Sequence, residues 1–195
     1  EKDLKMLRRA RHFGRYISIH SHSLHRCVYI SSDAGRVCRP LIIVENGKPK
    51  LQMKHIQEIK DPADPAEFWN LVEEGVVEFI DVNEENNCYI ALDERYVTKE
   101  HTHMEIDPMT ILGTVAGLIP FPHHNQSPRN TYQCAMGKQA IGTIGYNQYN
   151  RLDTLLYLMV YPMKPLVTTR VLDLVNFDKL PAGQNAIIAV MSYSG

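Results

Sequence analysis

The feature that most restricts this chain is residues 120–139, PFPHHNQSPRNTYQCAMGKQ, a stretch that is polar where ordinary core sequence would be apolar. Ser127 followed by Pro128 marks a helix start there. A serine hydroxyl accepts from an orphan amide at the N-cap, and the fixed φ of proline suits the first helical position. Arg129 then falls in the first turn, where a cation opposes the helix dipole unless an anion is shared with the free amides. A phosphate is the natural candidate. At about 100° per residue, Arg129, Tyr132, Met136, Gln139 and Ala140 share one sector of this helix, and such a face can hold a nucleotide. Lys138 projects almost opposite Arg129, so a straight helix does not bring both to one ligand.

The remaining sequence predicts an α+β chain. Segments 16–19, 27–30 and 41–44 read as strands, and Asn46-Gly47 is a hairpin turn into a further strand at 50–53. Asp64-Pro65 opens a short helix through Phe68, Trp69, Leu71 and Val72 that stops at Gly75. Segments 76–80 and 88–92 read as strands paired around Asn86-Asn87. A boundary is expected near residue 100, separating residues 1–100 from 101–195. Beyond it, Asp107-Pro108 begins an apolar helix through Ile111, Leu112, Val115 and Leu118 that supports the site helix. A proline-restricted loop, 119–126, presents His123 and His124. Arg151 to Leu158 leads to Pro162 and Pro165, which end any helix, and the turn at 180–185 precedes Ala186-Ile187-Ile188-Ala189-Val190-Met191, an unbroken apolar run suited to a strand buried on both faces.

Composition and charge narrow the function classes. A content of 44% hydrophobic and 22% charged residues, without repeats or low-complexity segments, describes a globular chain. Cys27, Cys38, Cys88 and Cys134 are scattered without a C-x-x-C pair, so neither a zinc ribbon nor a disulfide framework is indicated, and a reducing intracellular compartment fits. No run of 18 apolar residues argues for membrane insertion. Adjacent histidines on an extended loop point apart, so no metal site is assigned to His123 and His124, and His20, His22 and His25 are expected on the surface beside a strand. The net charge of −1 conceals an uneven distribution: residues 45–107 hold 16 acids against 6 bases, and residues 1–40 hold 9 bases against 3 acids. Nucleic acid should avoid the acidic block, in which runs such as Asp61 to Glu74 read as solvated helix faces.

The segments HNQSPRNTYQ (124–133), MGKQ (136–139), LPAGQNA (180–186) and DAGRVCRP (33–40) together resemble the second-largest subunit of eukaryotic multisubunit DNA-directed RNA polymerases. The resemblance runs from about residue 28 to the last residue. His123-His124, Cys134, the stretch 142–148 and Met191 to Gly195 look most like RNA polymerase III, with polymerase II the nearest rival. It implies an internal fragment, because the family motif continues past Gly195 into a pair of acids near the second catalytic magnesium. It also implies a β-rich external domain over 1–100 and, over 101–195, the start of the hybrid-binding domain, with its β-barrel incomplete here. The nucleotidyl-transfer enzyme is nuclear. Its Mg2+ is held mainly by the largest subunit, and its partners include that subunit, other polymerase subunits, template DNA, RNA transcript and nucleoside triphosphate.

On that resemblance Arg129 is expected on the incoming triphosphate, Gln139 on the RNA near its growing end, and Tyr132 between them, without base-specific contacts. Lys138 either reaches nucleic acid through a bend or holds the helix to a neighbouring acid. The fragment alone is expected to be inactive. Two non-enzymatic readings are an interaction module that docks polymerase subunits or a regulator, and a free single-strand RNA binder. Near-zero net charge and few interleaved aromatics count against the second.

Overall fold

A computed structural model describes residues 1–61, 64–142, 149–155 and 159–195. These form two compact units, Glu1–Ile111 and Leu112–Gly195. Helices and strands are both present, as expected of an α+β chain.

The first unit is organised by strand β3, Cys38–Glu45, whose Leu41, Ile42, Ile43 and Val44 are all buried. A continuous apolar run is what a strand covered on both faces requires. β3 runs antiparallel to β5, Val77–Asp81, with Cys38 opposite Asp81 and Ile42 opposite Val77. It also meets β7, His103–Met104, which pairs in parallel with β6, Ile90–Ala91. Asn46 and Gly47, both with positive φ (54° and 76°), make the expected hairpin turn into β4, Lys48–Pro49. The core comprises Ile42, Val44, Val76, Val77, Ala91 and Met104, against which Phe68, Leu71 and Val72 pack. A separate hairpin joins β1, Ser18–His22, to β2, Cys27–Ser31. The helices of this unit are α1, Lys2–Arg9; α2, Met53–Glu58; α3, Pro65–Glu73; and α4, Val82–Glu85.

Local signals in the sequence are realised where they are strong. Asp64 caps α3 through its carboxylate, which accepts from the Ala66 amide at 2.9 Å, and Pro65 opens the helix. In the first unit, three expectations about strands require correction. The strand expected at 50–53 ends at Pro49, because proline has no N–H with which to extend the ladder, and Met53 starts α2 instead. Segments 76–80 and 88–92 do not pair. The carboxylate of Asp81 accepts from the Glu84 amide at 2.8 Å and turns the chain into α4, so β5 pairs with β3 and β6 with β7. His20 and His22 lie within β1 rather than beside it.

In the run Asp61 to Glu74, Asp61, Asp64, Glu73 and Glu74 are exposed as expected and Glu67 is half-buried, whereas other acids of the block are not exposed. Glu78, Asp81, Glu84 and Glu105 are buried, and residues of the basic N-terminal block meet them. Arg8 of α1 donates two bonds of 2.7 Å to Glu84 and one of 3.1 Å to Glu78. Arg9 also donates to Glu78, at 2.7 Å, and His103 Nε2 stands 2.6 Å from the same carboxylate. Arg36 donates to Asp81, and Arg39 bridges Glu85 and Glu105. Burial alone would push the Glu78 carboxyl up, but hydrogen bonds from His103 and Arg9 and the charges of both arginines hold it well below the usual carboxylate range. Asp81 is likewise lowered despite burial, by the Glu84 amide, the Ser18 hydroxyl and Arg36.

The second unit contains α5, Thr114–Gly117; α6, Ser127–Gln139; and α7, Arg170–Leu174. The single helix expected from Asp107 to Leu118 is divided. A 3-10 turn covers Pro108–Ile111, and Gly113, extended at ψ 171°, serves as the N-cap of α5. The run 186–191 forms no ladder, and Ile187, Ile188, Val190 and Met191 are exposed. An apolar pattern makes a strand only where a neighbouring edge offers partners, and none of the described residues does so. Part of the 151–158 segment and most of 142–148 lie outside the described residues.

Candidate functional site

The proposed site residues lie on α6, whose 13 residues form its scaffold. Its entry differs by one position from the expectation. Gln126 is the N-cap, and its carbonyl accepts from the Arg129 amide at 2.9 Å, so Ser127 stands inside the first turn and its hydroxyl makes no cap bond. The incoming chain is instead fixed by Asn130, whose Nδ2 donates to the Pro122 carbonyl at 2.8 Å and whose Oδ1 accepts from Asn125 at 3.2 Å. A 3-10 turn, Pro122–His124, precedes it after Phe121 in the left-handed region. This turn brings the His123 and His124 rings to 4.2 Å in an edge-on arrangement, rather than pointing them apart as an extended loop would. No cluster of three or more histidine, cysteine, aspartate or glutamate side chains suited to a metal occurs among the described residues.

The two sides of α6 have different roles. Asn130 and Cys134 are half-buried, and a Cβ added at Gly137 would contact Val115 of α5 at 3.7 Å, so these positions form the packed side. Arg129, Tyr132, Met136 and Gln139 are exposed; Tyr132 is 60% and Met136 57% accessible. By helical geometry this sector turns away from the packed side. Ala140, placed at its edge by the sequence, is the C-cap with extended ψ of 129° and leaves the helical face. Lys138, exposed in the last turn, complements the negative end of the helix dipole from the far side. The first turn carries no acidic residue, and Arg129 forms no ion pair among the described residues.

Past its C-terminal end α6 runs into a turn whose structural part the sequence did not reveal. A Cβ at Gly142 would lie 2.5 Å from the Pro181 carbonyl oxygen and 2.8 Å from Ala182 Cα, so the backbones approach more closely than any side chain allows. From the same turn the Gly183 carbonyl accepts from the Met163 amide at 2.9 Å, and Gln184 Nε2 donates to the Tyr161 carbonyl at 3.2 Å. Asn185 donates to the Lys164 carbonyl at 3.0 Å and accepts from the Leu166 amide at 3.3 Å. Two amide side chains ahead of an apolar run were the available signal.

The sequence around α6 is poor in magnesium ligands. Residues 108–152 contain neither aspartate nor glutamate, so α6 and its neighbours in sequence offer none of the carboxylate ligands this ion prefers. The arrangement can instead offer a guanidinium, a phenol and an amide along one exposed helix face to an anionic, hydrogen-bonding ligand. No helix of the described residues is long and apolar enough to cross a membrane.

Three families match the chain: "RNA polymerase Rpb2, domain 4" over residues 2–45, "RNA polymerase Rpb2, domain 5" over 68–108 and "RNA polymerase Rpb2, domain 6" over 115–195. DNA-directed RNA polymerase III subunit RPC2 of Schizosaccharomyces pombe is 58% identical over 191 residues, covering 98% of this chain and 16% of that protein. Its Saccharomyces cerevisiae counterpart is 57% identical over 189 residues, 97% of the chain and 16% of the relative. DNA-directed RNA polymerase subunit Rpo2 of Sulfolobus acidocaldarius is 51% identical over 168 residues, 86% of the chain and 15% of the relative. The chain thus spans about one sixth of the length of these relatives.

Proposed function

Because the chain belongs to the second-largest-subunit family of DNA-directed RNA polymerases and is more than half identical to RNA polymerase III members over nearly its whole length, we propose that its α6 face positions the incoming nucleoside triphosphate and the RNA–DNA hybrid during nucleotidyl transfer. The observation that carries this reading is Arg129. It is a first-turn cation, exposed, without an ion pair among the described residues and without an acid in the turn to offset it. A triphosphate supplies the missing anion. Charge-assisted and bidentate bonds from the guanidinium stabilise the charge that grows on the triphosphate as the pyrophosphate departs. Tyr132 and Gln139 continue the contact toward the RNA end, and Lys138 serves the helix terminus or reaches nucleic acid from the other side.

Magnesium supplies metal activation in the assembled enzyme from ligands outside this chain, chiefly in the largest subunit. In this reading residues 1–100 are an external domain and residues 101–195 begin the hybrid-binding domain. The chain by itself is inactive. It works in the nucleus, within an assembly of the largest subunit, other polymerase subunits, template and transcript.

The test is Arg129→Ala in the full subunit, followed by assembly of the polymerase and measurement of single-nucleotide addition against triphosphate concentration. A loss of about 2–4 kcal/mol in transition-state stabilisation, with assembly intact, is expected. Unchanged addition kinetics would remove Arg129 from the active centre and reduce α6 to scaffold.

A further inference from the structure

Within the first unit, the end of α1 and the loop after it close over β3, β5 and the end of α3 to leave a cavity of about 340 Å³, within the size range of ligand sites. Its apolar lining includes the half-buried Phe13, Val72 and Phe79, backed by the buried Ile43 and Val77, and four arginines also line it, Arg8, Arg9, Arg11 and Arg15. Only one carboxylate, Glu78, lines the cavity, and it is already shared by Arg8, Arg9 and His103. The arginines are incompletely matched by acids and acceptors. Arg8 is buried, yet its Nε has no hydrogen-bond partner among the described residues. Arg15 has no ion pair among the described residues, and its guanidinium lies 5.0 Å from the centre of the Trp69 ring. Arg11 is held at φ 63°, an uncommon left-handed conformation for a residue with a side chain, and its one ion pair among the described residues is a 3.4 Å contact to Glu73 at the surface.

We propose that this cavity docks an acidic peptide segment of a partner protein: one large apolar side chain seats against the half-buried Phe13, Val72 and Phe79, while flanking carboxylates meet Arg11 and Arg15. Charge complementarity selects the anion, and the concave apolar floor selects a side chain over a phosphate backbone, which would leave that floor uncovered. Exposed Glu73 and Glu74 near the rim oppose a continuous polyanion such as nucleic acid. The site is separate from α6 and does not depend on the reading given for that helix.

Trp69 is the single tryptophan, and its ring lies 5.7 Å from that of Phe79, so its emission reports on occupancy. The probe is a fluorescein-labelled pentapeptide, DDFDD, titrated against the 195-residue chain at low ionic strength, with polarisation read for binding and Trp69 emission for location. Saturable polarisation is expected, with a parallel change at Trp69. The DDADD peptide should bind at least about tenfold more weakly, and Arg11→Ala and Arg15→Ala should each weaken DDFDD by about threefold or more. Both arginines are exposed, so neither substitution threatens the fold. Several results would overturn the proposal: no saturation, binding with silent Trp69, equal affinity for DDADD, or indifference to both substitutions. Two competition results would reassign the cavity. Displacement by 3-phenylpropionate at the affinity of the peptide would make it a small-molecule site, and tighter binding of a single-stranded oligonucleotide would make it a nucleic-acid site.

Discussion

The buried ionic cluster that ties α1 to β5 and α4 makes a sharp prediction for Arg8→Met. Arg8 gives Glu84 two bonds of 2.7 Å, gives Glu78 one, and donates to the Ile17 carbonyl at 2.7 Å. With the guanidinium gone, Glu78 keeps Arg9 and His103 and remains compensated. Glu84, with no accessible surface, keeps only Lys5 at 3.5 Å and a long bond of 3.4 Å from the Ile19 amide. The loss is therefore that of one buried and nearly unpaired carboxylate, at the lower end of the range for breaking such a pair, about 3 kcal/mol. Urea unfolding followed at Trp69 should show the midpoint falling by about 2 M for a unit of this size. Adding Glu84→Gln removes the stranded charge, so the double variant should recover about 1–2 kcal/mol relative to Arg8→Met alone. A midpoint shift below about 0.3 M, or a double variant whose loss is simply the sum of the two singles, would refute the cluster as the device that fastens α1.

Other outcomes follow from the same structure. Glu78 and Asp81 titrate lower in the folded chain than their ordinary values of 4.5 and 3.8, so the unfolded chain binds more protons near pH 4. Their contribution should be complete above about pH 5 and should fall away as pH drops through the acid range, read as a declining urea midpoint between pH 5 and 2 that Glu78→Gln flattens. Burial pushes the Cys88 thiol up to about 11, so its alkylation by iodoacetamide should keep accelerating above pH 9 and, at pH 8, run at least about tenfold slower than that of an unshifted thiol. In the second unit a Cβ at Gly117 would fall 2.7 Å from Val171 Cγ2, so Gly117→Ala should destabilise the contact of α5 with α7 by about 1–3 kcal/mol, and Val171→Ala should relieve part of that loss in thermal melts.

The elements legible in the amino-acid sequence are those decided locally. Asp64-Pro65, Asn46-Gly47 and the Ser127-Pro128 region act within four residues: the two helices start within about one position of expectation, and the turn falls where expected although the strand after it does not. The exposed face of α6 follows from its helical period alone, which is enough to group Arg129, Tyr132 and Gln139. The burial of Glu78 and Glu84 is not legible in this way, since their arginine partners lie 69 to 76 residues earlier in the chain. Asp81 carries a usable capping signal, but the strand pattern around it masks that signal, and α4 with it. The run 186–191 shows the opposite failure. Its pattern is that of a buried strand, yet a strand is a property of two chain segments, and periodicity describes only one.

The order in which the ribosome releases this polypeptide gives the Arg8–Glu84 link another meaning. The two residues are 76 positions apart, and at ordinary elongation speeds roughly 4–15 s pass between them. Bringing the ends of such a segment together costs on the order of 4 kcal/mol in chain entropy. Throughout that delay the eight residues of α1 are too few to hold a helix alone, and their arginines are unclaimed. Acidic surfaces encountered during synthesis therefore compete for α1 before its own carboxylates exist, and the first unit closes only once α4 has left the exit tunnel.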